Sequence, residues 1–269
     1  MAELLHFIPI IICLAFPATF VITYIWAVLN KHVYPLLPNI SDTGSLPPES
    51  CLFSMMLNLT AALLLFSLYI RHKEVIVILR AKNIVDTAPF TPLLNRIATI
   101  FGLVACVALD ITANFQVTNV FAVHGLGAII CFVCSAVYIL LQAVLTFMIV
   151  PHINSIIMVI IRALLGVCVV IFTISSIVTD TIALKQFSSA PVNHSQILHW
   201  TPDLPGWKLH VTASICEWIL VITLALFILS LYWDFRKISL TEPELVMYAE
   251  PQPLPVQAKS FKNLNAIIS

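Results

Sequence analysis

The apolar residues of this chain gather in six long runs separated by shorter polar stretches. A helix needs about 20 predominantly apolar residues to cross the hydrocarbon core of a bilayer, so each run predicts a transmembrane helix. The predicted spans are residues 7–29, 51–70, 93–113, 120–147, 156–179 and 209–233. The pattern therefore predicts an all-α, six-helix membrane bundle. Residues 241–269 are polar and rich in proline, which predicts an extended, disordered tail.

Composition supports a membrane protein and argues against a nucleic-acid partner. Hydrophobic residues make up 60% of the chain, charged residues only 10%, and the mean hydropathy is +1.02. These values lie outside the usual range of soluble domains. The 13 basic residues are balanced by 13 acidic ones, so no net positive charge favours binding to nucleic acid. Membrane lipids are the predicted surroundings and partners.

Basic residues are distributed unevenly between the predicted loops. Lys and Arg in short loops favour the cytosolic side of a membrane. Ten of the 13 fall on one side of the predicted topology: Arg71, Lys73, Arg80, Lys82, Arg96, Arg162, Arg236, Lys237, Lys259 and Lys262. This places both termini and the tail in the cytosol. The loop at residues 71–95 is then either ordinary basic flanking or a segment lying on the anionic leaflet.

Two glycosylation sequons support this topology. Asn39 and Asn193 each begin an Asn-x-Ser sequence, and both fall in loops predicted to be lumenal or extracellular. A glycan would be added only on that side. Asn193 is farther from the neighbouring spans and is the better predicted acceptor.

The loop between the first two spans, residues 32–50, has the composition of a stiff connection. Residues 42–44 favour an Asx-type turn in which Gly44 is free to adopt a positive φ. Pro47 and Pro48 favour a polyproline segment. Glu49 then places an acidic side chain at the positive end of the next helix dipole.

Several ionisable or polar residues lie where a membrane makes them costly, near the predicted lumenal ends of the spans. They are Asp110, Asn114, His124, Asp180, His210 and Glu217. Such residues are default candidates for function. In one interpretation they cap helix ends and hold the first loop. In the other they line a lumenal pocket for a lipid head group, a cation or a proton.

No catalytic signature selects a reaction. The chain has no nucleophile elbow, no zinc-protease motif and no phosphate-binding loop. Residues 42–44 have the letters of an aspartic-protease triplet, but that chemistry needs a second carboxylate triplet, which the chain lacks. We therefore predict no catalytic residue, no metal site and no cofactor.

The first loop carries a specific sequence pattern, P-x-I-S-D-T-G-x-x-P-P-E-S, from Pro38 to Ser50. Its defined positions are Pro38, Ile40, Ser41, Asp42, Thr43, Gly44, Pro47, Pro48 and Glu49. With the A-N-F-Q run at residues 113–116 and residues 234–240, this pattern resembles the damage-regulated autophagy modulator (DRAM) family, within the wider Frag/DRAM/Sfk superfamily.

The resemblance implies a six-span protein of lysosomal membranes that promotes autophagy and can couple it to cell death. Golgi, endosomal and plasma-membrane locations are alternatives, since the superfamily includes such relatives. The leading hypothesis is a non-enzymatic scaffold that recruits autophagy machinery or lipid kinases on its cytosolic face. The first alternative is a carrier or channel for a lipid, ion or amino acid. The second is a membrane-embedded lipid-modifying enzyme.

Overall fold

The computed structural model describes residues 4–82, 88–150, 155–189 and 194–240. The helices are α1 (Phe7–Leu29), α2 (Glu49–Ala81), α3 (Thr91–Asn114), α4 (Phe121–Ile149), α5 (Ile156–Ser188), α6 (Trp207–Ser230) and α7 (Tyr232–Phe235). Six helices are long and apolar enough to cross a membrane, the last being α6 with α7, Trp207–Phe235. The predicted all-α fold with six spans is confirmed. The predicted tail lies outside the described residues.

The helices form a closed ring. Each long helix packs against the next one in the chain, and α6 packs back against α1. The interior holds one apolar cluster near the first loop, including Phe16, Phe53 and Leu57. A second cluster lies nearer the other end of the bundle and includes Ile139 and Phe227. Large apolar side chains also cover the outside of the ring, as expected for helices that face lipid.

Helix α2 is much longer than its predicted span of residues 51–70. It has 33 residues, a length of about 50 Å at 1.5 Å per residue, whereas the hydrocarbon core is about 30 Å thick. Val75, Ile78 and Leu79 are buried in the protein core. The prediction of a loop beginning at residue 71 is therefore wrong, because this apolar stretch continues the helix and packs inside the bundle. Helix α5 likewise continues to Ser188, beyond the predicted end at residue 179.

The first loop differs from its prediction at two points. Residues Asp42–Gly44 form a 3-10 turn, and Gly206 is the only glycine with positive φ among the described residues. Gly44 is needed for close packing instead, because a Cβ there would lie 2.4 Å from the Phe53 ring. Pro48 has near-helical dihedrals and precedes α2, so the predicted polyproline segment is also wrong.

The acidic start of the second span is confirmed, since Glu49 is the first residue of α2.

Candidate functional site

The backbone of the first loop is held by two neighbouring side chains of α6. The Ile40 amide donates a hydrogen bond to Glu217 Oε2 at 2.9 Å. The Trp218 indole Nε1 donates to the carbonyl oxygen of Pro38 at 3.2 Å. These contacts satisfy backbone groups that an irregular segment would otherwise leave unpaired.

Glu49 closes the loop at its base. Its carboxylate accepts a hydrogen bond from Asn30 Nδ2 at 3.3 Å and pairs with the His32 ring. Asn30 and His32 follow α1, whereas Glu49 begins α2. The two ends of the loop are therefore joined by side chains.

The other loops at this end dock on the first loop. The Tyr34 amide donates to the Leu198 carbonyl oxygen at 2.9 Å, and the Thr118 hydroxyl donates to the Ser45 carbonyl oxygen at 3.4 Å. We call this end of the bundle the first-loop end. Its three loops form one connected cap.

The nine pattern residues of the first loop divide by exposure. Buried are Pro38, Ile40, Asp42, Thr43, Gly44 and Glu49; Ser41 is half-buried; Pro47 and Pro48 are exposed. Thr43 contributes a hydroxyl that lies 3.0 Å from the Thr23 hydroxyl of α1. The pattern thus consists mainly of residues that fit the loop against the helices.

A polar cavity of about 290 Å³ lies at the first-loop end, between the first loop and helices α4, α5 and α6. Its ionisable lining residues are Asp42, His124, Asp180, His210 and Glu217. Four of the six residues predicted to form a polar layer therefore share one cavity. Asp42, from the first-loop pattern, is the fifth ionisable residue.

Asn39 crosses one side of this cavity. Its amide Nδ2 donates to Asp180 Oδ1 at 3.3 Å, and its Oδ1 accepts from the Ser214 hydroxyl at 2.5 Å. Both ends of the amide are thus used in holding α5 and α6 to the first loop. The other predicted glycosylation site, Asn193, lies outside the described residues.

The two histidines of the cavity differ in their partners. His124 Nδ1 lies 2.7 Å from the carbonyl oxygen of Phe115. A carbonyl can only accept, so Nδ1 carries the proton. The Thr112 backbone also hydrogen-bonds to this ring. The His210 ring stacks on Trp200 with centroids 4.3 Å apart. Its buried Nδ1 has no hydrogen-bond partner among the described residues.

The cavity also determines the acidity of Asp42. Burial raises the pKa of its carboxyl well above the usual value, and the neighbouring carboxylates of Glu217 and Asp180 raise it further. A backbone hydrogen bond at Asn39 acts in the opposite direction. The crowding of these carboxylates therefore favours the uptake of protons or of a cation.

Asp110 and Asn114 do not belong to this cavity. Both are exposed on the outer surface of α3. The Asn114 amide pairs with the Asn58 amide at 3.2 and 2.8 Å. The six polar residues were grouped only by their predicted depth in the membrane. Four of them line the cavity, whereas Asp110 and Asn114 face away from the interior of the ring.

A second polar cluster lies at the opposite end of the bundle, and the sequence interpretation missed it. Arg71 and Arg162, predicted as basic flanking residues, are fully buried. The carboxylate of Asp234 pairs with both: Arg71 Nη1 lies 3.0 Å from Oδ1, and Arg162 Nη2 contacts Oδ2. Arg71 also pairs with Glu74 at 2.9 Å. We call these four residues the ion cluster.

Neutral side chains complete the ion cluster. Gln142 Oε1 accepts from Arg71 Nε at 3.0 Å, and the Thr146 hydroxyl accepts from Arg162 Nη1 at 2.8 Å. The cluster thereby ties α2, α4, α5 and α7 together. One residue in the sequence does indicate this cluster. Arg162 falls inside the predicted span 156–179, where a charged side chain requires a partner.

The chain is similar to known proteins over most of its length. The model of the Frag1/DRAM/Sfk1/Cwh43P N-terminal domain matches residues 4–238. The chain is 34% identical to rat DNA damage-regulated autophagy modulator protein 2 over 236 residues, covering 88% of this chain and 85% of the relative. It is 35% identical to human DNA damage-regulated autophagy modulator protein 1 over 235 residues, covering 87% and 92%. No solved structure matches. Together these matches show that the chain belongs to the DRAM family, within the Frag1/DRAM/Sfk1/Cwh43 group.

Proposed function

We propose that this protein is a non-enzymatic regulator of autophagy in the lysosomal membrane, and that it can couple autophagy to cell death. Its relatives are named as autophagy modulators, and the fold is a six-span membrane bundle. One observation carries the scaffold part of the proposal: the three loops of the first-loop end form a single hydrogen-bonded cap. Such a cap gives a fixed surface instead of mobile loops.

The proposed orientation places both termini in the cytosol and the cap in the lumen. The buried Arg71 and Arg162 no longer count toward this bias, since they are paired inside the protein. Exposed basic residues still favour the end opposite the cap, with Lys73, Arg80, Lys82, Arg96, Arg236 and Lys237 against Lys31, Lys185 and Lys208 at the first-loop end. Membrane lipids, autophagy machinery or lipid kinases are the proposed partners of that basic end.

The orientation is tested by mapping which segments a protease or a labelling reagent reaches in intact lysosomes. Residues 82–90, between α2 and α3, should react from the cytosolic side, and residues 189–206, between α5 and α6, only after the membrane is opened. Labelling of both segments from the same side would contradict the proposed topology.

The function is tested by measuring autophagic flux in cells that lack the protein. Deletion should lower lysosomal turnover of a lipidated autophagosome marker, and the wild-type chain should restore it. A Gly44→Ala variant, which disturbs the cap, should not restore flux, whereas Gly125→Ala should, because a Cβ at Gly125 meets no atom within 4 Å. Unchanged flux after deletion would contradict the proposed function.

The polar cavity favours a second candidate function, that of a carrier or receptor for a small molecule. Its volume of about 290 Å³ is close to the lower limit of ligand pockets, about 300 Å³. Uptake of candidate solutes into liposomes holding the purified protein tests transport directly. Uptake no faster than in protein-free liposomes would restrict the cavity to binding.

A further inference from the structure

The polar cavity is lined by acidic side chains without basic Lys or Arg side chains among the described residues. Asp42, Asp180 and Glu217 supply three carboxylates to its wall. Buried charges of one sign require a partner of the other sign or must take up protons. The cavity therefore either holds protons on its carboxylates or favours a positively charged occupant.

Part of the remaining wall is aromatic and apolar, beside several neutral polar side chains. Phe121, Phe132 and Trp200 all line the cavity. Ring faces attract cations through their electron-rich surfaces, and tryptophan does so most strongly. An aromatic wall combined with carboxylates fits an organic cation better than a hydrated metal ion. Consistent with this, no group of three or more His, Cys, Asp or Glu residues suited to a metal ion is found in the described part of the chain.

His210 provides an independent indication of a ligand. Only 5% of the residue is exposed, and within the part of the chain that the structure describes its Nδ1 has no hydrogen-bond partner. Folded proteins rarely leave a buried ring nitrogen unpaired, because its lost hydration is not replaced. A ligand group in the cavity would supply the missing hydrogen bond.

We propose that this cavity binds a small organic cation, an amine in its ammonium form. The carboxylates accept hydrogen bonds from the ammonium group, and the aromatic side chains contact its carbon atoms. Anions are excluded by charge, and a zwitterion would leave its own carboxylate without a basic partner. The proposal deepens the second candidate function, on which it rests, and it is independent of the role in autophagy.

Protonation competes with this ligand. The titratable groups that face the cavity are Asp42 from the first loop, His124 from α4, Asp180 from α5, and His210 and Glu217 from α6. A proton on any of them reduces the negative charge or adds positive charge. Binding of the amine therefore releases protons and becomes weaker as the pH falls.

The experiment is isothermal titration of the full-length protein in lipid nanodiscs with butylammonium, ethylammonium and putrescine. The neutral analogue 1-butanol has nearly the shape of butylammonium without its charge. At least one ammonium compound should bind saturably, and the neutral analogue should bind about tenfold more weakly or not at all. The affinity should increase between pH 5 and pH 7.

Two variants distinguish the cavity from nonspecific binding. Asp180→Asn keeps the oxygen that accepts from Asn39 but removes a charge, and it should weaken ammonium binding about tenfold. Asp110→Asn removes one carboxylate from the outer surface of α3 and should leave binding unchanged. Thermal unfolding of each variant shows whether it is folded.

Several results would overturn the proposal. They are equal binding of butylammonium and 1-butanol, an equal loss in both variants, and no binding of any of the amines to folded protein. Binding of Ca²⁺ that is abolished by Asp180→Asn would instead assign the cavity to an inorganic cation and would equally overturn it. None of these binding measurements depends on autophagic flux. The proposed scaffold function is therefore tested separately from this proposal.

Discussion

The Glu217 carboxylate and the Ile40 backbone amide, 177 positions apart in the chain, are joined by a hydrogen bond of 2.9 Å. The last long helix thus supports the first loop. Since α6 also packs against α1, this contact helps to close the ring of helices at its first-loop end.

Loss of this carboxylate should destabilise the protein. Glu217→Ala leaves a buried amide unpaired and should lower the free energy of unfolding by about 1–3 kcal/mol. Glu217→Gln keeps an accepting oxygen and should cost less. Thermal unfolding of purified protein in detergent measures both. Equal melting temperatures for wild type and the alanine variant would show that the hydrogen bond contributes nothing.

Gly44 should not tolerate a larger side chain. A Cβ at this position would lie 2.4 Å from the Phe53 ring, so Gly44→Ala should destabilise the fold by about 1–3 kcal/mol through overpacking. Adding Phe53→Leu should recover part of the loss. Gly125→Ala is the matched control, since its Cβ meets no atom within 4 Å. The same melting temperature for both alanine variants would refute the steric explanation.

The ion cluster should depend on its shared carboxylate. Asp234→Asn leaves the buried guanidinium groups of Arg71 and Arg162 with too little negative charge, and breaking a buried pair costs about 3–5 kcal/mol. Unfolding in mixed detergent should show a loss of this size. Arg96→Gln, which removes an exposed charge, is the control. A loss no larger than that of the control would mean that the cluster is not a stabilising element.

Asp42 should make stability depend on pH. Its pKa is raised in the folded protein by burial and by the carboxylates of Glu217 and Asp180. The folded state therefore binds its proton more tightly than the unfolded state. The stabilisation is complete below the unfolded pKa and is lost as the pH rises through the folded pKa.

The melting temperature should accordingly decrease as the pH rises through this window, and Asp42→Asn should weaken the dependence. A pH profile of thermal unfolding with the wild type beside the variant measures it. Parallel profiles would assign the pH dependence to other groups.

Glycosylation should be confined to one sequon. Both ends of the Asn39 amide are hydrogen-bonded inside the bundle, so the folded protein does not offer this side chain to a glycan. Asn193→Gln should therefore remove the glycan-dependent mobility shift on a gel, and Asn39→Gln should leave it unchanged. A shift that survives replacement of both residues would contradict the proposed topology.

The number of spans and the start of α2 follow directly from the sequence. Long apolar runs have few alternatives to crossing a membrane, and an acidic residue after two prolines predicts a helix start. His210 and Glu217 are seven residues apart and so lie on one helix face. Both line the cavity, as their spacing indicates.

The sequence of α3 does not indicate which face of the helix points into the bundle. A membrane helix is apolar toward both lipid and protein, so its pattern does not distinguish the inner face from the outer. For this reason the sequence groups Asp110 with residues that line the cavity, although Asp110 itself is exposed on the outer surface of α3. The ion cluster was missed for a different reason. Asp234 lies 163 positions from Arg71 in the chain. Without knowledge of such a distant partner, a charged residue at the end of a span cannot be distinguished from an ordinary solvent-exposed flanking residue.

The uninterrupted course of α2 from Glu49 to Ala81 has a mechanical consequence. Glu49 binds the base of the first loop, and Arg71, about 33 Å farther along the same rod, is locked into the ion cluster. A rigid-body tilt of α2 would therefore displace the first loop and the ion cluster together.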